Sequence, residues 1–226
     1  MSIKDKIKST REAFFTPNEE RWNSWTHAAG IALGVVVGTI FLVWCFNAHN
    51  GWATVSVVLY LFGMLCSYIT STVYHALSPK SRWKNRLRHW DHAAIYWHIA
   101  GSYSPITLVA LREQGYWGWA LFAFVWLCAI AGTIVSFLHL KKHSHIETVC
   151  FVVMGLSVLV AFKPLIDCVS PLAVRWIIAE GVAYITGAVF YSLTRTRYMH
   201  TVFHFFVLLG SICHIIAVWD ILIDYL

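Results

Sequence analysis

The chain has 226 residues, 58% of them hydrophobic and only 12% charged, with a mean hydropathy of +0.62 and a formal net charge of +6. Soluble domains carry about 25% charged residues, so an ordinary soluble globule is excluded and one polytopic membrane domain is indicated. Twelve tryptophans and ten tyrosines agree, because rings with a polar handle collect at membrane–water interfaces.

The first stretch, residues 1–25, is polar and charged. It lacks a short apolar core followed by a small-residue cleavage site, so a cytoplasmic N-terminal arm is expected rather than a secretory signal. Residues 26–226 form the expected membrane domain. About 20 apolar residues suffice for a helical crossing, and seven runs qualify. They are Thr26–Phe46, Trp52–Tyr74, Ala93–Leu111, Trp117–Leu138, Ile146–Phe162, Leu172–Leu193 and Thr201–Asp220. The fifth is short and is expected either to tilt little or to extend into its flanks. The fold class is thus all-α and polytopic, with seven transmembrane helices. Cys45, Cys66, Cys128, Cys150, Cys168 and Cys213 form no CxxC pair and lie mostly in apolar runs. They read as buried small hydrophobes.

Charge sets the orientation. Fourteen of the 17 lysines and arginines fall in the N-terminal arm and the second, fourth and sixth connections, whereas Arg112, Lys163 and Arg175 fall on the other side. The positive-inside rule then puts the N-terminus in the cytoplasm and the C-terminus outside. Most of the net charge is a topology signal. Nucleic-acid binding is not indicated, because the basic residues flank spans and no binding module is present.

Polar residues inside the apolar runs carry the chemistry. In "TSTVYHAL", Ser71 and His75 stand at i and i+4 and share a helix face. In "RYMHTVFHFF", His200 and His204 form a second such pair. With Asp91 at the expected start of the third span, these groups converge from three helices at one depth, near the inner leaflet. Three imidazoles and a carboxylate suit zinc. His75, His200 and His204 are the candidate ligands. Asp91 is either a fourth ligand or the group that holds an activated water and takes its proton. Ser71 is placed to hydrogen-bond a ligand, a water or a developing oxyanion.

Two further sets stand out. Glu20, Asn23, Thr26 and His27, in "EERWNSWTHAAG", either form a cytoplasmic polar network or mark an interfacial helix start with Trp22 and Trp25 as anchors. Glu180 lies mid-span in the sixth run and needs a partner, a proton or water. His214 is about 15 Å along the helix from His204, too far to share its metal. "HLKKHSHIE", residues 139–147, reads first as a basic cytoplasmic turn.

The motifs "ERWNSWTHAAG", "STVYHAL", "HWDHAAIYWHIAGSYSP" and "HTVFHFFVLLGSICH" together resemble the hemolysin III branch of the progestin and adiponectin receptor family. The resemblance runs from Glu20 to Trp219. It implies seven transmembrane helices and an intramembrane zinc near the cytoplasmic face, held by the residues matching His75, His200 and His204. Asp91 matches the aspartate that contacts the zinc-bound water, and Ser71 the nearby serine. Glu20, Asn23, Thr26 and His27 match the family's first motif. Alkaline ceramidases, which hydrolyse a lipid amide, belong to the wider superfamily.

The leading expectation is therefore a zinc-dependent hydrolase of a lipid amide or ester in the plasma (cytoplasmic) membrane. A membrane lipid or free fatty acid is the expected partner. The first alternative is a non-enzymatic sensor or receptor-like regulator of membrane state, with a structural zinc. A transporter or ion pathway using Glu180 and the histidines is the second, and the chain lacks a convincing internal repeat for it. Cytolytic activity gains nothing from the sequence, which offers no detachable amphipathic element.

Overall fold

The computed structural model describes residues 15–139, 145–193 and 196–226. Among these residues the regular structure is entirely helical. The α-helices are α1 Pro17–Asn47, α2 Gly51–Ala76, α3 Arg82–Pro105, α4 Trp117–His139, α5 His145–Gly155, α6 Phe162–Cys168, α7 Pro171–Ser192 and α8 Met199–Tyr225. A π-helical turn, Ile106–Ala110, extends α3, and a 3₁₀ segment, Leu156–Ala161, joins α5 to α6.

Local chemistry sets several boundaries. The Thr16 hydroxyl accepts from the Glu19 N–H at 3.2 Å, and the Glu19 carboxylate accepts from the Thr16 N–H at 2.8 Å. This reciprocal cap, with Pro17 at the first helical position, starts α1 well before Thr26. Residues 17–25, expected in the arm, are thus continuous with the first helix. Likewise α3 starts at Arg82 behind a Ser81 cap, which places Asp91 within the helix rather than at its start. Asn50 and Ser170 cap α2 and α7.

Six segments are long and apolar enough to cross a bilayer: Pro17–Asn47, Gly51–Ala76, Trp117–Leu138, Ile146–Cys168, Pro171–Ser192 and Met199–Tyr225. The fifth runs past its expected end at Phe162, because the 3₁₀ segment keeps the chain helical to Cys168. Large apolar side chains stand exposed on the outer faces, among them Val36, Leu127, Val160 and Val182. A soluble protein could not tolerate such a coat. The chain is an integral membrane protein.

The segment expected as the third span, Ala93–Leu111, is helical over most of its length but too polar to join those six. Its position explains the composition. Every residue from Ala100 to Leu111 is buried, so this stretch meets other helices rather than lipid. Gly63 and Gly101 allow the approach. A Cβ on Gly63 would lie 2.1 Å from the Trp97 carbonyl oxygen, and one on Gly101 2.8 Å from that of Leu59. Small residues at such crossings let two backbones meet directly.

Chain neighbours α1 and α2, α2 and α3, α3 and α4, and α7 and α8 pack together, and α1 also packs on α8. The core between them includes Phe41, Tyr60, Met64, Tyr68 and Leu222. All six cysteines are free thiols. Cys45 and Cys213 are buried, but Cys150 is exposed on α5 and the other three are half-buried, so the expected burial holds only in part.

Candidate metal centre

His75 sits in the last turn of α2, and His200 and His204 in the first two turns of α8. One ring nitrogen from each lies within 4.8 Å of the other two. The Nε2 of His200 is 3.3 Å from the Nε2 of His75 and 3.0 Å from that of His204. His75 and His204 are almost wholly buried.

The opposite sides of the rings explain what this cluster wants. The Nδ1–H of His75 donates to the Glu20 carboxylate at 2.6 Å, and the Nδ1–H of His204 to the Asn23 carbonyl at 3.1 Å. Each ring proton is thereby committed to Nδ1, so both rings turn an unprotonated Nε2 inward. The Nε2 of His200 can supply at most one hydrogen between them. Nitrogen lone pairs facing one another at these distances call for a cation. Borderline-soft imidazole donors with carboxylate and carbonyl behind them suit zinc. The residues present fit the metal that the resemblance implies.

A supporting shell holds the rings. Glu20 also accepts from the Lys84 ammonium at 2.8 Å, and that ammonium donates to the carbonyls of Tyr74 and Leu77 at 3.0 and 2.9 Å. The buried lysine is fully engaged and fixes the carboxylate. Asn23 accepts from the Thr201 hydroxyl at 2.5 Å, one residue from His200. Thr26 lies 3.3 Å from the Nδ1 of His204 through its hydroxyl. His27 stacks on His204 with ring centroids 3.7 Å apart, and neither of its ring nitrogens has a hydrogen-bond partner among the described residues. Thus Glu20, Asn23 and Thr26 hydrogen-bond behind the cluster and His27 packs on it, while Trp22 and Trp25 point outward. The polar residues and the exposed tryptophans lie on opposite faces of α1.

The cluster borders a cavity of about 540 Å³ within the bundle, whose walls carry Ser71, Asp91, His200 and His204. Ser71 and Asp91 make no hydrogen bond among the described residues, so their oxygens remain available on the wall. Tyr74 and Tyr191 line the same region. The cavity continues down to Glu180 and His214. There the Glu180 carboxylate accepts from the Nδ1–H of His214 at 2.8 Å, which supplies the partner Glu180 needs.

Several positioning residues are absent from the sequence reading. Glu19 caps α1 and also accepts the Tyr198 N–H at 2.7 Å. Tyr198 has a left-handed backbone, φ 63°, and opens α8, so Glu19 fixes the entry of the helix that carries two histidines. The Thr-Pro-x-Glu signal at residues 16–19 was available to find it. His92 donates to Glu147 at 2.9 Å, and Ser136 to the other oxygen at 2.8 Å. That pair joins α3, α4 and α5, and spacing along the chain gives no hint of it. Of "HLKKHSHIE", residues 140–144 lie outside the described structure.

A family model described as Haemolysin-III related matches residues 15–215. The chain belongs to the haemolysin III family. It is similar to Hemolysin-3 of Bacillus cereus, 33% identical over 205 residues that cover 90% of this chain and 91% of that one. The Hemolysin-3 homolog of Bacillus subtilis (strain 168) is 32% identical over 197 residues, 87% of this chain and 91% of the relative. The Monocyte to macrophage differentiation factor of Homo sapiens is 29% identical over 211 residues, 90% of this chain and 84% of the relative. These matches place this haemolysin III-family chain in the hemolysin III branch of the progestin and adiponectin receptor family. All the residues of the candidate metal centre fall inside the matched segment.

Proposed function

We propose that this protein is a zinc-dependent intramembrane hydrolase of a lipid amide or ester. The observation that carries the proposal is the convergence of three imidazole Nε2 atoms beside a cavity that also exposes Asp91 and Ser71. We further propose that α3 with its π turn is a seventh span, that the N-terminus is cytoplasmic and the C-terminus outside, and that the centre lies near the cytoplasmic face of the plasma membrane. The charge asymmetry supports that topology.

His75, His200 and His204 would hold the metal. Zinc in such a site supplies Lewis acidity toward a carbonyl oxygen and lowers the pKa of water. Glu20, held by Lys84, keeps His75 in the tautomer that presents Nε2. Asn23 and Thr26 do the same for His204. The Asp91 carboxylate accepts a proton from the attacking water and returns it to the leaving amine or alcohol. The Ser71 hydroxyl donates to the oxygen that gains charge as the carbonyl carbon becomes tetrahedral. The apolar cavity walls take the acyl chain and exclude bulk water.

Elemental mass spectrometry of purified wild type beside His200→Ala tests the centre first. One zinc per chain, absent from a folded variant, is expected. A lipid amide and ester panel with wild type and Asp91→Asn then tests turnover. A metal-free, folded wild type would overturn the zinc centre. Stoichiometric zinc without turnover across the panel would instead support the sensor alternative.

A further inference from the structure

The deep end of the cavity holds a polar cluster that hydrolysis at the metal centre does not use. Glu180 on α7 and His214 on α8 are paired at 2.8 Å, and both line the cavity. Tyr184, one turn beyond Glu180 on the same face, also lines it, and its hydroxyl lies 3.1 Å from that of Ser211. Ser211 in turn meets the Tyr68 hydroxyl at 2.7 Å. The Nε2 of His214 and the phenol oxygen of Tyr60 are buried without a hydrogen-bond partner among the described residues, with their rings 5.0 Å apart. His214 is only 1% exposed. Those two atoms are closed off from the cavity, and the capacity open to it is the second Glu180 carboxylate oxygen, which has no hydrogen-bond partner among the described residues.

We infer that this cluster is a second recognition site in the same cavity, and that it selects an acyl chain bearing a hydroxyl far from its carbonyl end. The inference rests on the lipid-cavity proposal above and names the substrate class. A plain hydrocarbon lying along this wall would cover the unpaired Glu180 carboxylate oxygen without offering a partner, which carries a desolvation cost. A chain hydroxyl would donate to Glu180 and accept from Tyr184. The carboxylate acceptor makes the first bond a charge-assisted one.

A neutral donor fits better than an ammonium. One carboxylate oxygen is already taken by His214, and stripping water from an ammonium to bring it into this apolar cavity costs more than doing so for a hydroxyl. Distance sets where the hydroxyl must sit. His204 and His214 are ten residues apart on one continuous helix, about 15 Å along its axis. A chain with its carbonyl or carboxylate at the metal centre would thus present a hydroxyl about 15 Å away.

The test is a binding measurement on the intact, zinc-loaded protein in lipid nanodiscs. Lauric acid, whose extended chain has about this length, is compared with ω-hydroxylauric acid by displacement of a fluorescent fatty acid. Wild type should favour the hydroxylated chain by roughly ten-fold or more, because a site built for a hydroxyl discriminates strongly against its absence. Glu180→Gln, which retains an acceptor for His214, should bring the ratio close to one. Tyr184→Phe should reduce it by a smaller factor. Moving the hydroxyl to mid-chain should abolish the preference.

Equal or weaker binding of the hydroxylated chain to wild type would overturn the inference, whatever the variants do. Tighter binding of the ω-amino analogue would overturn the choice of a neutral donor. Failure of every chain to bind would sink both the inference and the lipid-cavity proposal. A retained hydroxyl preference with no hydrolysis of any lipid would remove the hydrolase and leave the recognition site standing.

Discussion

Glu20 offers the sharpest test of how the metal centre is held. Its carboxylate makes the 2.6 Å contact to the Nδ1 of His75, and the His75 side chain has no exposed surface. In Glu20→Ala the carboxylate acceptor behind the His75 ring is lost. Loss of a carboxylate behind a metal-binding histidine weakens metal affinity by about 10–100-fold, or roughly 1.4–2.8 kcal/mol. The burial places Glu20→Ala toward the upper end. Glu20→Gln keeps an acceptor but loses charge assistance, and should sit near the lower end. Lys84 reports the same chain of contacts. Its ammonium bridges Glu20 and the carbonyls of Tyr74 and Leu77 at the end of α2, so Lys84→Met frees the carboxylate to shift and should weaken zinc by less than Glu20→Ala does. The assay is chelator-competition titration of zinc into stripped protein in detergent, with thermal unfolding of the zinc-loaded form as the fold control. Unchanged zinc affinity in a folded Glu20→Ala variant would refute the idea that this carboxylate orients His75.

Asp91→Asn should abolish lipid hydrolysis while leaving zinc content and melting temperature close to wild type, since Asp91 makes no hydrogen bond among the described residues; retained turnover would remove Asp91 from the chemistry. Gly63→Ala should be destabilising, because its Cβ would stand 2.1 Å from a backbone carbonyl that cannot swing aside. Overpacking costs about 1–3 kcal/mol, visible as a lower melting temperature in a thermofluor scan, and an unchanged midpoint would mean that the α2–α3 crossing is looser than it looks. His27→Phe keeps the stack on His204 and removes two unpaired buried nitrogens. Its melting temperature should hold or rise with zinc retained, whereas metal loss on elemental analysis would make His27 a ligand.

Much of the site was legible because it is written in helical spacing. The i, i+4 pairs Ser71–His75 and His200–His204 announce a shared face wherever the helix goes, and the structure brings the three histidines together. The first-motif residues were also visible, since Glu20, Asn23 and His27 recur about every turn along α1. Glu180 drew notice as an acid in an apolar run, but its partner lies 34 residues away on a neighbouring helix. Only helix packing brings His214 opposite it. The Lys84 and Glu147 contacts were hidden for the same reason: each is one member of a charge-rich stretch, and spacing does not say which member turns inward. The case of α3 is different: the sequence reading counts Ala93–Leu111 as a span, whereas the structure leaves it outside the six segments apolar enough to cross. Hydropathy measures exposure to lipid, and a helix enclosed by its neighbours need not be apolar to sit among them. The early start of α1 was readable from its capping residues but was outweighed by the polarity of residues 17–25.

The packing of α1 against α8 has a consequence for how the protein is made. Glu20, His75 and Lys84 all belong to the first three helices, so the carboxylate, one imidazole and the ammonium can find each other while the ribosome is still at work. His200 and His204 emerge last. Until α8 is made, His75 is the only one of the three imidazoles present, with Glu20 and Lys84 beside it in the finished fold. When α8 docks, Glu19 receives its first turn and the last two imidazoles arrive together. An ion held by all three imidazoles would need α8 in place, so on the proposed reading its binding would report a completed bundle.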